Sequence, residues 1–424
     1  MELRLVLGEL ARRDRPRRTG GPGALFWIIV TAIFGMSSKL ASCTLAIIYR
    51  NIDPDGRVNG GPMYYLEKGL ELRGLKPLGR TLAMLFAVLC IGGALGGGNM
   101  FQSNQTVEAL GVVSPVFKTY NWLFGLILAA LVGAVIIGGI QRIASVTSRL
   151  VPTMCLLYVA SALFIIVGNI GEVPAMFVLI FSEAFSGQAV EGGVLGIAII
   201  GITRAAFSNE AGIGSAAIAH SAAKTEEAAR EGIVAMIGPF IDTIVICTMT
   251  ALVILTVEGD FTYQGQAVQH VWQSDLGTTQ MSGFVTTSGA FAAAFPTLIA
   301  GIPLGTLVAS VALILFVFTT LLTWSYYGER AITFLYDRIP GSTRGGEKIL
   351  HIIWRVIWCI GIFVGATQPS QLVWRLGDIS NAAMALPNLL ALALLSGVVF
   401  KLAKGERDAG PTHTEDTPEE PEEY

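Results

Sequence analysis

The chain has 424 residues, of which 53% are hydrophobic and only 14% charged, and its formal net charge is −3. A soluble domain carries roughly a quarter charged residues, so this composition excludes an ordinary soluble globular protein. Long apolar runs recur along the whole chain, and most approach the roughly 20 residues that cross a bilayer as a helix. The sequence therefore predicts an all-α polytopic membrane protein.

Nine membrane spans are predicted in chain order, together with two shorter apolar pieces. The spans are 24–48, 80–103, 121–141, 149–168, 191–222, 231–257, 302–325, 349–366 and 379–400. The short pieces, Val173–Phe185 and Gly283–Ala294, are predicted to be re-entrant or surface helices, because neither is long enough to cross the bilayer comfortably.

Lysine and arginine alternate between dense and sparse loops, and dense loops lie on the cytoplasmic side of a membrane. Six basic residues occur between Arg50 and Arg80, whereas none occurs from Glu231 to Glu329. The last span is followed by more basic residues, starting with Lys401. We therefore predict a multi-pass protein of the cytoplasmic membrane with its C-terminus in the cytoplasm.

The two ends of the chain differ from the rest. The alternation places the start of the first span outside, yet "ARRDRPRRTG" precedes it. We interpret residues 1–19 as an Arg-rich, non-native N-terminus; the alternative is a genuine basic terminus that stays cytoplasmic. Residues 404–424 are mostly Asp, Glu, Pro and Thr, a composition typical of a disordered, solvated tail.

The fifth span is interrupted by "FSNEAGIG". In hydrocarbon every backbone N–H and C=O must be paired, so an irregular segment survives only where it lines a cavity or is buried in protein. Ser208, Asn209, Gly212 and Gly214 therefore predict a break that faces the protein interior at a substrate or ion site. The alternative is a loop between two short helices at the cytoplasmic face, marked by Arg204.

Further polar residues lie within the predicted spans. They are Asn99, Gln102, Asn104, Asp242, Thr319, Thr320, Thr323 and Trp324. Helix packing by the threonines, an interfacial position for the tryptophan and a hydrogen-bonded structural role for the acid remain alternatives. Uncharged donors and acceptors with one aromatic ring suit a small zwitterion. The spans show no clustered His, Cys or paired carboxylates of an enzyme, and a single asymmetric break disfavours a channel.

Several stretches resemble the alanine or glycine:cation symporter family, the sodium-coupled transporters of small amino acids. They are "GGPGALFWIIVTAIFGMSSKL", "GGPMYYLEKGL", "GGGNMFQSNQ", "RAAFSNEAGIGSAAIAH", "FIDTIVICTMTALVIL" and "TTLLTWSYYGERA". The resemblance implies a leucine-transporter-like fold of two inverted five-helix repeats in a transmembrane domain at 20–403. The first helix of each repeat is unwound in that fold, and the fifth span is the first helix of the second repeat.

The resemblance also implies the site and its ligands. The implied substrate-binding residues are Gln102, Phe207, Ser208, Asn209, Gly212 and Trp324. Thr319 and Thr320 are implied to supply hydroxyls to a co-transported sodium ion, and Asp242 matches the family without an assigned role. The expected partners are alanine or glycine, sodium and the lipid bilayer, with no nucleic acid and no covalent chemistry.

The chain departs from the family pattern in two places. The family pairs the lysine at Lys39 with a glutamate three residues later, but Ser42 stands there, so Lys39 is expected to lack a partner. The Gly-Thr-Gly-Asn break of the family's first repeat helix has no counterpart, and nine spans divide as four plus five. The pattern therefore lacks one repeat helix, and the alternative interpretation is a truncated, transport-inactive family member.

Overall fold

The computed structural model is almost entirely helical. It describes residues 21–54, 56–186, 193–225, 227–263, 266–273 and 283–404. The predicted Arg-rich N-terminus at 1–19 lies outside the described residues, as does all of the predicted acidic tail except Lys404.

Sixteen α-helices are described. They are α1 Gly23–Ile48, α2 Pro62–Glu71, α3 Lys76–Gly93, α4 Phe101–Val113, α5 Pro115–Thr119, α6 Asn121–Ile136, α7 Gly139–Gly168, α8 Val173–Ser186, α9 Gly193–Asn209, α10 Ser215–His220, α11 Ala228–Pro239, α12 Thr248–Thr256, α13 Gly283–Ala294, α14 Leu304–Tyr336, α15 Arg344–Thr367 and α16 Ser370–Ala403. Two π-helical turns, Ala94–Met100 and Phe240–Cys247, connect α3 to α4 and α11 to α12 without interrupting the spans.

Three short antiparallel hairpins, which the sequence did not predict, lie between helices. They pair β1 Asn51–Ile52 with β2 Val58–Asn59, β3 Glu258–Tyr263 with β4 Gln266–His270, and β5 Leu298–Ile299 with β6 Ile302–Pro303. A single 3₁₀ turn, Val271–Gln273, follows β4.

Seven helical segments of the described chain are long and apolar enough to cross a membrane. They are Gly23–Ile48, Lys76–Val113, Gly139–Gly168, Ala228–Thr256, Leu304–Tyr336, Arg344–Thr367 and Ser370–Leu402. Three shorter apolar helices, α6, α8 and α9, accompany them. The all-helical, multi-pass class is confirmed, and the count of nine spans stays a prediction.

The distribution of side chains is the one expected for a protein dissolved in lipid. Leucines such as Leu156 and Leu195 point outward, with 72% and 74% of their surfaces exposed. Asn99, Gln102 and Asn104 are buried instead. A bilayer cannot hydrogen-bond polar groups, so these groups find partners or ligands inside the bundle.

Helix α1 packs closely against the segments on both sides of the predicted break, and two glycines permit the approach. A Cβ added to Gly201 of α9 would lie 2.5 Å from Trp27 Cβ, and one added to Gly232 of α11 would lie 2.1 Å from Thr44 Oγ1. Small residues at such crossings let helix backbones approach closely in membranes. The result is a tight frame of α1, α9 and α11 on one side of the break.

The β1–β2 hairpin is fastened to one end of α14 and α15 by charged groups. Arg57 pairs with Asp53 at 2.9 Å and with Glu347, and Asn59 Oδ1 accepts a hydrogen bond from Arg330. Partial burial lowers the pKa of Arg57, but the hydrogen bonds and charges of the two carboxylates raise it by more, so its pKa lies above the ordinary value. Arg57 therefore stays charged, and the loop between α1 and α2 is anchored.

Candidate functional site

Helices α9 and α10 are the two halves of one interrupted helix. The break covers residues 210–214 and takes positive φ angles of 55° at Glu210, 82° at Gly212 and 94° at Gly214. Glycine adopts such angles freely, whereas a glutamate there is strained, and such strain clusters at functional sites. Asn209, Gly212 and Gly214 are buried, so the predicted break near Ser208–Gly214 that faces the protein interior is confirmed.

Polar side chains from other helices hold the freed backbone of the break. Asn388 of α16 donates from Nδ2 to the carbonyl oxygen of Gly212 at 2.9 Å, and the hydroxyl of Tyr65 donates to Asn388 Oδ1. The predicted site residue Gly212 is therefore engaged with α16 rather than with the cavity described below. Arg204, which marked the alternative of a cytoplasmic loop, forms a two-pronged ion pair with Asp378 of α16, at 2.8 and 3.0 Å.

The expectation that Lys39 lacks a partner is wrong. Its Nζ donates to the carbonyl oxygen of Asn209 at 2.8 Å. That carbonyl belongs to the last residue of α9, where the helix dipole favours a positive charge. The substitution of the family's glutamate by Ser42 therefore leaves Lys39 bound to the break itself.

Replacing Lys39 by methionine is expected to reduce the transport that the sequence resemblance implies by about ten- to a hundredfold, because a hydrogen bond from a charged group is worth about 1.5–3 kcal/mol when it is lost from a buried acceptor. Lys39→Arg keeps an N–H donor and serves as the control. Initial rates of the sodium-driven amino-acid uptake expected from that resemblance, measured in proteoliposomes, report the effect. Uptake by Lys39→Met at the rate of the unaltered protein would show that the contact is dispensable.

A cavity of about 60 Å³ lies beside the break, and we call it the central cavity. It is lined by Gly97, Gln102, Phe207, Ser208, Glu210, Asp242, Phe316, Thr320, Trp324 and Asn381. A water molecule needs roughly 10–15 Å³ by this measure, so the space holds a few waters or a small ligand. Four of the six predicted substrate residues lie in this wall, and the roles of all six stay predictions.

The other two predicted substrate residues, and one of the sodium residues, lie outside the wall. Asn209 is buried and uses its Oδ1 to accept a hydrogen bond from the backbone N–H of Ala211 at 2.9 Å. Gly212 is held by α16, as described above. Thr319 is absent from the lining of the central cavity, whereas its neighbour Thr320 is part of it, because adjacent residues on a helix point about 100° apart.

Both threonine hydroxyls are oriented by the same backbone group. Thr319 and Thr320 donate to the carbonyl oxygen of Phe316 at 2.8 and 3.0 Å. A hydroxyl that donates its proton keeps its lone pairs for other ligands. At the central cavity, Thr320 can therefore still coordinate a cation.

Two acidic residues, Glu210 and Asp242, belong to the lining of the central cavity. Glu210 accepts from Trp324 Nε1 at 2.9 Å through Oε1 and from Ser215 Oγ at 2.5 Å through Oε2. Asp242 accepts from Ser208 Oγ at 2.7 Å through Oδ2. Within the described part of the chain, neither carboxylate has a basic side chain within 4.0 Å. The cavity is therefore suited to a ligand that carries positive charge.

Two amide oxygens in the same wall have no hydrogen-bond partner among the described residues. They are Gln102 Oε1 and Asn381 Oδ1, and their residues are only 4% and 7% exposed. Leaving a buried acceptor unpaired costs about 1–3 kcal/mol, so a ligand that donates hydrogen bonds to these two oxygens would remove that cost. The cavity thus combines charged and neutral acceptors.

Four residues of the central cavity were not assigned to the site from the sequence; they are Gly97, Glu210, Phe316 and Asn381. Glu210 stands in the quoted break and was not assigned to the site, although an acid at membrane depth is itself a functional signal. Asn381 is likewise a polar side chain within an apolar run, the last predicted span. Phe316 carried no such signal, because an apolar residue in an apolar helix is indistinguishable from its neighbours.

Comparison with known proteins decides the family. The family model described as "Sodium:alanine symporter family" matches residues 18–415. The chain belongs to the sodium:alanine symporter family. Membership indicates a sodium-coupled amino-acid transporter rather than an enzyme, in agreement with the resemblance found in the sequence.

The names of relatives within the family specify different substrates. The sodium/alanine symporter AgcS of Methanococcus maripaludis is 41% identical over 386 residues, which cover 91% of this chain and 77% of the relative. The probable sodium/glutamine symporter GlnT of Bacillus subtilis is 36% identical, with 91% and 72% coverage. The amino-acid carrier protein AlsT of Bacillus subtilis is 34% identical, with 91% and 74% coverage. The family therefore shows the transport class and leaves the amino acid open.

Proposed function

We propose that the protein symports alanine or glycine with sodium and that the central cavity binds the amino acid. The unpaired oxygens of Gln102 and Asn381 are the observation that carries this assignment. The ammonium group of an amino acid has three N–H donors, and two buried acceptors without partners are suited to receive them. The negative charge of Glu210, the first residue of the break, also attracts the ammonium group.

The size of the cavity supports a small side chain. The aromatic rings of Phe207, Phe316 and Trp324 belong to its lining, and its volume is about 60 Å³. An apolar wall discriminates by roughly 1–3 kcal/mol per methylene, so serine is expected to compete weakly and leucine hardly at all. The similarity to the sodium/alanine symporter AgcS supports the same choice.

We infer the sodium site and the overall arrangement from the same break. Thr320, with its neighbour Thr319, is proposed to offer hydroxyl oxygens to sodium, since hard cations prefer oxygen ligands. The interruption between α9 and α10 supports a leucine-transporter-like fold in which this helix opens the second repeat. The alternation of basic loops supports a cytoplasmic membrane location with the C-terminus inside.

Ligand-induced thermal stabilisation of the detergent-purified protein tests the assignment. A ligand that binds only the folded state raises its stability as its concentration exceeds the dissociation constant. Alanine and glycine are expected to raise the melting temperature in sodium chloride and not in potassium chloride. Gln102→Leu is expected to lose this response, whereas Gln105→Leu, a buried residue of α4 outside the cavity wall, keeps it. Stabilisation by glutamine and not by alanine or glycine would refute the proposed substrate.

Changing Thr319 and Thr320 together to valine is expected to raise the sodium concentration for half-maximal uptake about tenfold, because valine keeps the shape and removes the oxygen. Thr320→Val alone should account for most of the change, because only Thr320 lines the central cavity. Thr323→Val is the matched control on the same helix. Uptake measured at varied sodium concentrations, with competition by other amino acids, separates a change in sodium dependence from a change in amino-acid selectivity. An unaltered sodium dependence would refute the site.

A further inference from the structure

Asp242 lies where two cavities meet. It lines the central cavity and also a second cavity of about 60 Å³ between α7, the Phe240–Cys247 turn with α12, and α14. Phe316 is the other residue that the two walls share. The second cavity is mostly apolar, apart from the hydroxyls of Tyr158 and Thr250, which lie 2.5 Å apart. Asp242 therefore belongs to the walls of two neighbouring cavities and lies within a candidate membrane span.

The two carboxylates of the central cavity differ in how many of their oxygen atoms accept hydrogen bonds. Both oxygens of Glu210 accept strong hydrogen bonds, from Trp324 and Ser215. In Asp242, Oδ2 accepts from Ser208 at 2.7 Å and weakly from Thr243 at 3.4 Å, and no described residue donates to Oδ1. Glu210 is thus committed to shaping the break, whereas Asp242 keeps an oxygen open for a ligand.

Charge balance around the break calls for one more positive charge. Lys39 contributes a positive charge from α1 and lies near the helix that carries Asp242, with its Nζ 3.7 Å from the position of a Cβ on Gly238. Glu210 and Asp242 each contribute a negative charge, so that these three groups leave a net charge of −1 when ionised. A zwitterionic amino acid is neutral and does not change this sum, whereas one monovalent cation cancels it. An uncompensated charge within a membrane protein is costly.

We propose that Asp242 is the carboxylate ligand of the co-transported sodium, together with the hydroxyl oxygens of Ser208 and Thr320. All three residues line the central cavity, and so does Gln102, whose buried Oε1 has no hydrogen-bond partner among the described residues. Carboxylate and hydroxyl oxygens are the ligands that a hard cation selects. The π-helical turn that carries Asp242 is a form often found at functional sites.

This site ties sodium to the geometry of the break. Ser208 is the penultimate residue of α9 and Asp242 belongs to the neighbouring span, so an ion between them holds the end of α9 in one position. The inference rests on the proposed sodium coupling and adds the residue that neutralises the ion. One shared ion also predicts that Asp242 and Thr320 act as a unit.

Sodium-induced thermal stabilisation without any amino acid tests the proposal on the full chain in detergent. Sodium chloride is titrated against choline chloride at constant ionic strength, which also reports on folding of each variant in choline alone. Asp242→Asn is expected to raise the half-saturating sodium concentration at least about tenfold, and Asp242→Glu, which keeps a carboxylate, to preserve a sodium response. The double variant Asp242→Asn/Thr320→Val should resemble Asp242→Asn alone, since residues that share one ligand are not additive.

Three results would overturn the proposal. One is a half-saturating concentration in Asp242→Asn within about twofold of the unaltered protein. Another is a double variant whose shift equals the product of the two single shifts, which would indicate separate sites. The third is a change confined to the dependence on pH, which would make Asp242 a proton carrier. Because no amino acid is present, a sodium response with no alanine uptake would refute the proposed function and leave this site intact.

Discussion

Gly98→Ala is expected to lower sodium-driven alanine uptake by about tenfold or more. A Cβ at this position would lie 2.4 Å from Cγ and 2.5 Å from Cβ of Trp324. The indole cannot move away without breaking the hydrogen bond from its Nε1 to Glu210. Overpacking of this kind costs about 1–3 kcal/mol, and each 1.4 kcal/mol is about tenfold in affinity.

Gly92→Ala is the matched control for this substitution. Gly92 lies on the same continuous span, and a Cβ there would meet nothing within 4 Å. Alanine is also the better helix former by about 1 kcal/mol, so Gly92→Ala should fold and transport normally. Comparable uptake by the two variants, measured per folded protein in proteoliposomes, would show that Trp324 does not need its present position.

Glu210→Gln is expected to reduce uptake by about ten- to a hundredfold. Its carboxylate joins the indole of Trp324 to the first residue of α10, Ser215, and both bonds are charge-assisted. Glutamine offers a single acceptor oxygen and places an amide donor against a hydroxyl or an N–H. Losing a hydrogen bond from a charged partner costs about 1.5–3 kcal/mol.

A double-mutant cycle with Trp324→Phe separates this contact from a general loss of structure. Trp324→Phe removes the N–H donor and retains an aromatic ring. If the contact with Glu210 is what matters, the double variant Glu210→Gln/Trp324→Phe should be little worse than the poorer single variant. Independent, multiplicative losses in uptake would contradict the role given to this pair.

The break could be predicted from the sequence because its cause is local. Glycine and short polar side chains inside an apolar run have one physical explanation in a bilayer, which is backbone exposed to an interior cavity. The family resemblance singled out four residues that line the central cavity beside the break. They are Gln102, Phe207, Ser208 and Trp324. The hydrogen bond from Lys39 to Asn209 could not be predicted, because its acceptor is a backbone carbonyl that only the break makes available.

The ends of the helices were predicted less well where charges are buried. The seventh span was predicted to end at residue 325, but α14 continues to Tyr336. The extension contains Glu329 and Arg330, which are 9% and 5% exposed. They pair with each other at 3.3 Å, Glu329 also pairs with Arg355, and Arg330 donates a hydrogen bond to Asn59. Charges usually mark the end of an apolar span, and only the tertiary structure reveals that these ones are neutralised within the bundle.

Polar residues of the site that come from distant spans were also missed. Asn381 is more than 150 residues from the break, yet it shares the cavity wall with Glu210. The contribution of Asn381 to the site depends on where α16 packs against the other helices. The periodicity of a single helix does not determine that position. Side chains whose role depends on packing between helices therefore require the structure.

Uptake of labelled alanine into proteoliposomes under an imposed sodium gradient tests the central claim most directly. We expect accumulation above equilibrium when sodium is high outside, collapse of that accumulation when choline replaces sodium, and competition by excess glycine. The Gln102→Leu variant should not accumulate alanine, whereas the Gln105→Leu variant should accumulate it in the same sodium-dependent way. Accumulation that is independent of sodium, or sodium-driven accumulation of glutamine with none of alanine or glycine, would contradict the account.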